Sequence, residues 1–168
     1  DLVYTIAIAP LGQGRVTLDV PAGAALDHVG QPNIAMATQF NRTYDSVNPM
    51  VTMSASTPNP TGLLPIPVTA TFSEPVTGFI AGNVVVTNAV LSAFAGSASN
   101  YTFILTPVKP GQVSADIPSG VAVDAAGNPN DSAAQFVRLA RSAIAYDFDG
   151  DRLADPWHYE KSSGMWFL

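Results

Sequence analysis

The stretch Val68-Thr69-Ala70-Thr71-Phe72 alternates apolar side chains with threonines. Successive side chains of a β-strand point to opposite faces, so this alternation predicts a strand with one buried face and one solvent-facing face. Valine and threonine are β-branched, and such residues are enriched in strands. A strand of this kind is typical of an antiparallel sheet that packs on a core with one side only.

Six further stretches have the composition of short strands: Met50–Ala55, Asn83–Thr87, Val90–Phe94, Tyr101–Pro107, Gln112–Ile117 and Ala133–Leu139. Turn-forming residues separate them: Pro58-Asn59-Pro60, Glu74-Pro75, Gly96-Ser97, Pro110-Gly111 and Gly127-Asn128-Pro129. No window of helical length keeps a helical apolar period free of Pro or Gly. The pattern predicts an all-β fold, an antiparallel β-sandwich. Its predicted core is Phe72, Phe79, Val85, Leu91, Tyr101, Phe103, Leu105, Val113, Ile117 and Phe136.

An internal repeat relates two segments of the chain. Residues 4–33 align without gaps on residues 101–130, and 13 of the 30 pairs are identical. After a one-residue slip, Gln39-Phe40-x-Arg42 matches Gln135-Phe136-x-Arg138. Self-similarity of this kind indicates copies of one structural unit. We therefore predict the C-terminal half of one module at 1–45, a complete module at 46–141 and a different tail at 142–168.

Composition argues against several classes of function. The 168 residues include no Cys and two His, and the net charge is −6. Zero Cys excludes disulfides, thiolate metal sites and cysteine nucleophiles, and two His are few for a histidine-rich zinc site. The charge has the wrong sign for a nucleic-acid surface. No stretch approaches the roughly 18 apolar residues of a membrane span.

The first residues, Asp1-Leu2-Val3-Tyr4-Thr5, begin as if in the middle of a strand. They lack the basic start, apolar core and cleavage site of a signal peptide. We therefore expect the sequence to be a fragment of a longer protein, and the missing signal says nothing about location.

Several motifs of the predicted complete module resemble a known family. They are Phe72-Ser73-Glu74-Pro75-Val76-Thr77-Gly78-Phe79, the following strand Asn83-Val84-Val85-Val86-Thr87-Asn88-Ala89, Tyr101-Thr102-Phe103, and Asp124-Ala125-Ala126-Gly127-Asn128. In this order they resemble the bacterial immunoglobulin-like (Ig-like) repeats of large surface proteins and adhesins. The resemblance implies an Ig-like sandwich that serves as a tandem spacer or stalk of a secreted or cell-surface protein. It does not imply catalysis.

The tail contains the acidic stretch Asp147-Phe148-Asp149-Gly150-Asp151-Arg152-Leu153-Ala154-Asp155. Carboxylates at positions 1, 3, 5 and 9, with a backbone carbonyl at position 7, can surround one hard cation as in calcium loops. Carboxylates this close repel one another unless a cation neutralises them. The spacing predicts a calcium site, and the alternative is a solvated acidic turn. The predicted ligands are Asp147, Asp149, Asp151, Leu153 and Asp155.

The tail also resembles an FG-GAP or VCBS-type repeat, through Asp147-Phe148-Asp149-Gly150-Asp151, Ala154-Asp155-Pro156-Trp157 and Ser163-Gly164-Met165-Trp166-Phe167-Leu168. In that family each repeat forms one propeller blade and holds calcium on a loop, and the resemblance implies the same five ligands here. This sequence departs from the pattern at position 6, where Arg152 replaces the usual Gly. A left-handed non-Gly residue costs about 1–2 kcal/mol. We therefore expect weak calcium binding.

Four other acidic residues have both a structural and an ionic interpretation. Asp27 and Asp124 occupy equivalent loop positions, and Asp45 lies where the first module meets the second. In calcium-rigidified adhesins that resemble this chain, such acids of adjacent modules share an ion, and Asp27 is the residue expected to face Asp45. We favour the structural interpretation, an Asx-turn. Glu74, before Pro75, is likewise expected to be a turn residue, with ion or partner contact as the alternative.

The remaining candidates for chemistry are few. His28 and His158 lie in no nucleophile motif and are expected at the surface. The tail aromatics could stack on sugar rings, although such residues more often fill a strand core: Trp157, Tyr159, Trp166 and Phe167.

The sequence favours a non-enzymatic structural or adhesive module, a tandem Ig-like stalk stiffened by calcium. Its expected partners are neighbouring repeats or other copies of the chain. Two alternatives stay open: a sugar- or host-protein-binding module, and an accessory piece of a secreted enzyme. Because the first module is incomplete and its sheet edges are open, strand donation between copies is a route to an extracellular fibre.

Overall fold

A computed structural model of the chain describes residues 3–62, 65–141, 158–160, 162–163 and 165–167. The regular structure of these residues is β, apart from one short 3-10 turn at Ala81–Asn83. The strands are β1 (Gly14–Leu18), β2 (Phe40–Tyr44), β3 (Val51–Ser54), β4 (Ile66–Phe72), β5 (Val85–Thr87), β6 (Ala89–Ser97), β7 (Asn100–Pro107), β8 (Gly111–Asp116), β9 (Phe136–Ala140), β10 (His158–Glu160) and β11 (Met165–Phe167).

Strands β3 to β9 form two antiparallel sheets. The front sheet has the order β3-β4-β7-β6, and the back sheet has the order β5-β8-β9. In the front sheet Val68 lies opposite Phe103, and in the back sheet Val113 lies opposite Arg138. Each of the seven predicted strands of the complete module has a counterpart here, and the predicted antiparallel Ig-like β-sandwich is confirmed.

Apolar side chains from both sheets fill the space between them. In β4 the alternation of the sequence becomes an alternation of burial, because Val68 and Phe72 are buried and Thr71 is exposed. Removing apolar surface from water contributes about 25 cal/mol per Å², so this layer is the main source of stability of the sandwich. Its most fully buried apolar side chains are Phe103, Ile66, Leu105, Ile117, Val68 and Val113.

Eight of the ten predicted core residues are buried, namely Phe72, Phe79, Tyr101, Phe103, Leu105, Val113, Ile117 and Phe136. Leu91 is half-buried and packs against this core. The prediction for Val85 is wrong, since its side chain is 54% exposed. Its neighbours Val84 and Val86 face the core instead. In a strand, a shift of one residue moves a side chain to the opposite face.

The turn between β6 and β7 lies at Ala98–Ser99 rather than at the predicted Gly96-Ser97. That prediction is wrong because both residues continue β6, which carries a bulge before them and pairs with β7 up to Ser97. Gly96 allows the two strands to approach closely. Its φ is +136°, and a Cβ on it would lie 2.6 Å from the Cα of Tyr101.

Strands β1 and β2 form a separate two-stranded sheet. Their register reproduces that of β8 and β9. Val16 lies opposite Arg42 as Val113 lies opposite Arg138, and the remaining pairs correspond in the same way. Residues 3–10, most of which align with β7 in the repeat, form no strand.

The loop between β8 and β9 is held by the side chain of Asn130, which is 1% exposed. Its Oδ1 accepts hydrogen bonds from the amides of Val121 and Ala122, at 2.9 and 2.8 Å. Its Nδ2 donates to the carbonyls of Pro118 and Asp131, at 2.9 and 2.8 Å. These bonds use most of the capacity of a carboxamide group and fix the shape of the loop.

Strands β10 and β11 pair with each other in the tail, with His158 opposite Phe167 and Glu160 opposite Met165. The rest of the tail lies outside the described residues. The similarity of the tail to an FG-GAP or VCBS-type repeat therefore stays a prediction.

Candidate functional site at the junction before β3

Three segments meet at one end of the sandwich because of the strand directions. Since β3 and β4 are antiparallel, with Val51 opposite Phe72, the residues before β3 lie beside those after β4. The amide of Ser73 donates to the carbonyl of Met50 at 2.8 Å. The β8–β9 loop joins them, because the amide of Asp131 donates to the carbonyl of Pro49 at 2.9 Å. We call this region, residues 45–50 with Glu74 and residues 124–131, the junction.

Residues 45–50 connect β2 to β3, and hydrogen bonds hold them on both sides. On the side of the segment before β1, Gln13 Nε2 donates to Ser46 Oγ at 3.0 Å, and the Ser46 amide donates to Gln13 Oε1 at 3.1 Å. On the side of the sandwich, Asn128 Nδ2 donates to the Asp45 carbonyl at 3.3 Å, and Asn48 Nδ2 donates to Asp131 Oδ1 at 2.9 Å. The connector is thus tied to the segments before and after it.

The junction brings three carboxylates together. Asp45, Glu74 and Asp124 each offer one oxygen, and these oxygens all lie within 4.8 Å of one another. Asp124 is buried and the other two are half-buried. Oxygen atoms at this spacing suit a hard cation such as Ca²⁺, which binds six to eight oxygens at about 2.3–2.6 Å.

Asp124 is held by its own loop. Its Oδ1 accepts hydrogen bonds from the amides of Ala126 and Asn128, at 2.7 and 2.9 Å, and its Oδ2 accepts from Asn128 Nδ2 at 2.8 Å. Burial acts to raise the pKa of Asp124, but the hydrogen bonds from Asn128, Ala126 and Gly127 outweigh it, so the pKa is lowered. A carboxylate with several donors remains ionised at neutral pH.

Glu74 shows the opposite effect. Burial, then the negative charges of Asp124 and Asp45, raise its pKa above the usual value of 4.5. Like charges in a partly desolvated site disfavour ionisation of the group that is less well hydrogen-bonded. The charges of Asp124 and Asp45 therefore add to burial in disfavouring the ionised form of Glu74.

The acidic residues take part both in Asx-turns and in a cluster of carboxylates. The predicted Asx-turns are present: Asp27 Oδ1 accepts from the amides of Val29 and Gln31, and Asp45 Oδ1 accepts from the amide of Val47. The predicted partner of Asp45 differs, however, because the junction groups Asp45 with Asp124 and Glu74 rather than with Asp27. The signal for this grouping is the pairing of β3 with β4, which places residues 45–50 beside Glu74.

The predicted calcium ligands of the tail, Asp147, Asp149, Asp151, Leu153 and Asp155, lie outside the described residues. The same is true of Trp157. His158 and Trp166 are described only as members of paired strands. His28 is exposed, as predicted.

Comparison with known proteins identifies the module. The family described as "Bacterial Ig-like domain" matches residues 45–140, which agrees with the repeat predicted at about 46–141. The chain therefore belongs to the bacterial Ig-like domain family. No curated protein and no solved structure matches the chain significantly.

Membership of this family indicates the general class of the module at residues 45–140. Bacterial Ig-like domains are structural or adhesive modules, are typically non-enzymatic and commonly occur in surface or secreted proteins. Within the part of the chain that the structure describes, no helix has the length and apolar character needed to cross a membrane.

The variant Glu74→Gln tests the electrostatics of the junction. The folded protein holds the Glu74 proton more tightly than the unfolded chain does, so ionised Glu74 lowers stability as pH rises from 4.5 through the folded pKa. In calcium-free buffer we expect the variant to melt at a higher temperature than the parent near neutral pH. Below pH 4.5 the difference should vanish, because Glu74 is then protonated in both states.

Thermal melts at several pH values check this expectation, with Glu160→Gln in β10 as the control for loss of a carboxylate outside the junction. Equal melting temperatures of Glu74→Gln and parent near neutral pH would contradict it. So would a difference that is as large in acid as at neutral pH.

Proposed function

We propose that this chain is a non-enzymatic structural module of a bacterial surface or secreted protein, in which Ig-like units in tandem set distance and stiffness. This proposal rests on the hydrogen bonds of the connector, residues 45–50. Every residue from Asp45 to Met50 takes part in a hydrogen bond, within the connector or to the segments on either side of it.

A connector held in this way restricts the orientation of one unit relative to the next. A free linker of six residues would let its ends range over roughly 13 Å, on the random-coil scaling of about 5–6 Å times the square root of its length. Here Pro49 is fully buried, and its carbonyl is bound by the Asp131 amide. These contacts support a spacer that transmits position and force, rather than a flexible tether.

Backbone order parameters of the amides in residues 45–50 test whether the connector is rigid. In the parent we expect values near 0.85 for Ser46 and Val47, as in rigid backbone. The double variant Gln13→Ala/Asn128→Ala removes the side chains that hold Ser46 and Asp45, and the values should fall toward the flexible range below about 0.6.

The matched control is Gln31→Ala, because Gln31 is the repeat counterpart of Asn128 and its backbone bonds the loop at Asp27 instead of the connector. This control should behave like the parent. If the connector amides are already flexible in the parent, the proposal of a stiff spacer is refuted. This result would not bear on the fold of the sandwich.

Calcium is the second part of the proposal. Burial first, and then repulsion from Asp124 and Asp45, raise the pKa of Glu74, and a divalent cation would relieve that repulsion. Asp45, Glu74 and Asp124 supply three of the oxygens that such an ion needs. The tail ligands predicted from the sequence, Asp147, Asp149, Asp151, Leu153 and Asp155, are proposed as a separate loop site. An ion in the junction would add to the stiffness of the connector, because Asp45 belongs to the connector.

Calorimetric titration with calcium separates the two sites. We compare the parent with Asp149→Ala/Asp151→Ala in the tail and with Asp45→Asn in the junction. Each variant should lose one binding step and keep the other. An ion at 100 times its dissociation constant stabilises the folded state by about 2.7 kcal/mol, so melting temperature should rise with calcium. Absence of saturable binding up to about 10 mM would exclude both sites.

The partners proposed for the module are neighbouring Ig-like repeats or other copies of the chain. A sugar or a host-surface ligand at the tail is the alternative, supported by the aromatic residues of that segment. Loss of binding in Trp157→Ala or Trp166→Ala, with the melting transition of the sandwich unchanged, would favour this alternative.

A further inference from the structure

The first and last segments of the complete module lie beside each other. Residues 45–61 open the module, residues 128–141 close it, and hydrogen bonds join these two segments at both ends. In the junction the connector bonds residues 128–131, and at the opposite end residues 55–61 bond residues 138–141. Because the bonds follow the same order along both segments, the two segments run in the same direction. We call the end of the sandwich opposite the junction the exit end, since the chain leaves the module there.

Water reaches the bonds that join the two segments in the junction. Asn48 and Asp131, whose side chains bond each other at 2.9 Å, are both exposed. Asn128 is half-buried and donates to the carbonyl of Asp45 at 3.3 Å. Hydrogen bonds that exchange readily with water contribute little net free energy, so we expect these bonds to break first under load.

The backbone bonds at the exit end centre on a buried residue, Thr61. Its amide donates to the Leu139 carbonyl, and its carbonyl accepts from the Arg141 amide, both at 3.0 Å. Thr61 is 0% exposed, and Ala140, which lies opposite it in a parallel bridge, is 2% exposed. The Leu139 amide also donates to Asn59 Oδ1, at 2.9 Å. A hydrogen bond is stronger where water is excluded, so this group is the firmest link between the two segments.

Arg138 adds side-chain bonds to this group. Its Nε donates to the Thr57 carbonyl and its Nη2 to the Ala55 carbonyl, both at 3.3 Å. The guanidinium group also lies over the ring of Phe136, 4.5 Å from the ring centroid, and this contact holds the side chain in place. Because Arg138 belongs to β9 and Thr57 to the first segment, the side chain spans the gap between the two segments.

Tension along the chain loads these bonds in shear. A pull on the connector draws residues 45–61 toward the junction, and a pull on Arg141 draws residues 128–141 toward the exit end. The two segments are therefore pulled past each other. Interstrand hydrogen bonds lie across the strands, so sliding stretches several of them together, whereas peeling a strand away breaks them singly. The rate of forced unfolding depends on the barrier to this step and not on the equilibrium stability of the fold.

We propose that the hydrogen bonds between residues 45–61 and residues 128–141 form a mechanical clamp, whose main load-bearing part is the buried group around Thr61. The clamp keeps the sandwich folded while the chain on either side is under tension. This inference rests on the proposed function, because only a spacer that transmits force needs such resistance. It adds to that function a load-bearing site, at the end of the module opposite the connector.

Single-molecule pulling of the full chain from its two termini tests the clamp. Unfolding of the module is recognised by its length, because release of residues 45–141 adds roughly 300 Å of extended chain. At constant force we expect Arg138→Met to unfold about 5- to 30-fold faster than the parent, since the loss of two hydrogen bonds changes the rate by this factor. The matched control is Arg42→Met, which should unfold at the rate of the parent. Arg42 is the repeat counterpart and also lies over a phenylalanine ring, but it stands outside residues 45–141.

A second pair of variants separates loading from stability. Asn59 Oδ1 accepts the Leu139 amide within the clamp at 2.9 Å, and Asn83 Oδ1 accepts the Ile80 amide outside it at 2.8 Å. Asn59→Ala and Asn83→Ala each lose one bond of the same kind, so they should lower the urea midpoint by similar amounts. At constant force Asn59→Ala should unfold about fivefold faster than Asn83→Ala, because the Asn83 turn is still intact when the clamp breaks.

Equal unfolding rates of Asn59→Ala and Asn83→Ala at constant force would overturn the clamp. A parent module that lengthens gradually, without a single step, would overturn it as well. Order parameters of the connector amides judge the spacer independently of these results. A rigid connector together with equal rates would refute the clamp and leave the proposed function standing, whereas a flexible connector together with a faster Asn59→Ala would do the reverse.

Discussion

The contact between the front and back sheets organises the rest of this molecule. Each sheet has one apolar face, and neither face is stable in water until the other covers it. Phe103 and Phe136 come from different sheets and are buried together in the same core. Among the described residues, no further sheet covers the repeat at residues 4–44, and Ile6 and Phe40 are exposed although the strand register is the same. Burial here is decided by the partner sheet and not by the local sequence.

The sandwich also creates the junction. Antiparallel pairing brings the start of β3 beside the end of β4, and the β8–β9 loop closes over both. Three carboxylates far apart in the sequence, Asp45, Glu74 and Asp124, meet there as a consequence. The same geometry fixes the connector to the sandwich, so the electrostatics of the site and the stiffness of the spacer arise from one arrangement of loops.

Much of the fold was predictable from the sequence, because alternation and turn residues act locally. The seven strands of the module and most of its core follow from period-two patterns. The prediction that Val85 is buried was wrong, because three consecutive valines do not show which of them faces the core. The Asx-turns at Asp27 and Asp124 were also predictable from local chemistry. The meeting of Asp45 with Glu74 was not, since it depends on which strands pair. The position of the β6–β7 turn depends on a bulge that the sequence does not signal.

The central claim is that a partner sheet, and not the local sequence, decides which residues are buried. Hydrogen exchange of the parent chain tests this claim most directly, because the repeat provides matched residues in one sample. The account predicts strong protection for the amides of residues 101–105 and little protection for those of residues 4–8, their counterparts in the repeat. Equal protection of both segments in a monomeric sample would contradict the account, since it would mean that residues 4–8 are already covered. Equal lack of protection would mean that the sandwich at residues 45–140 does not form.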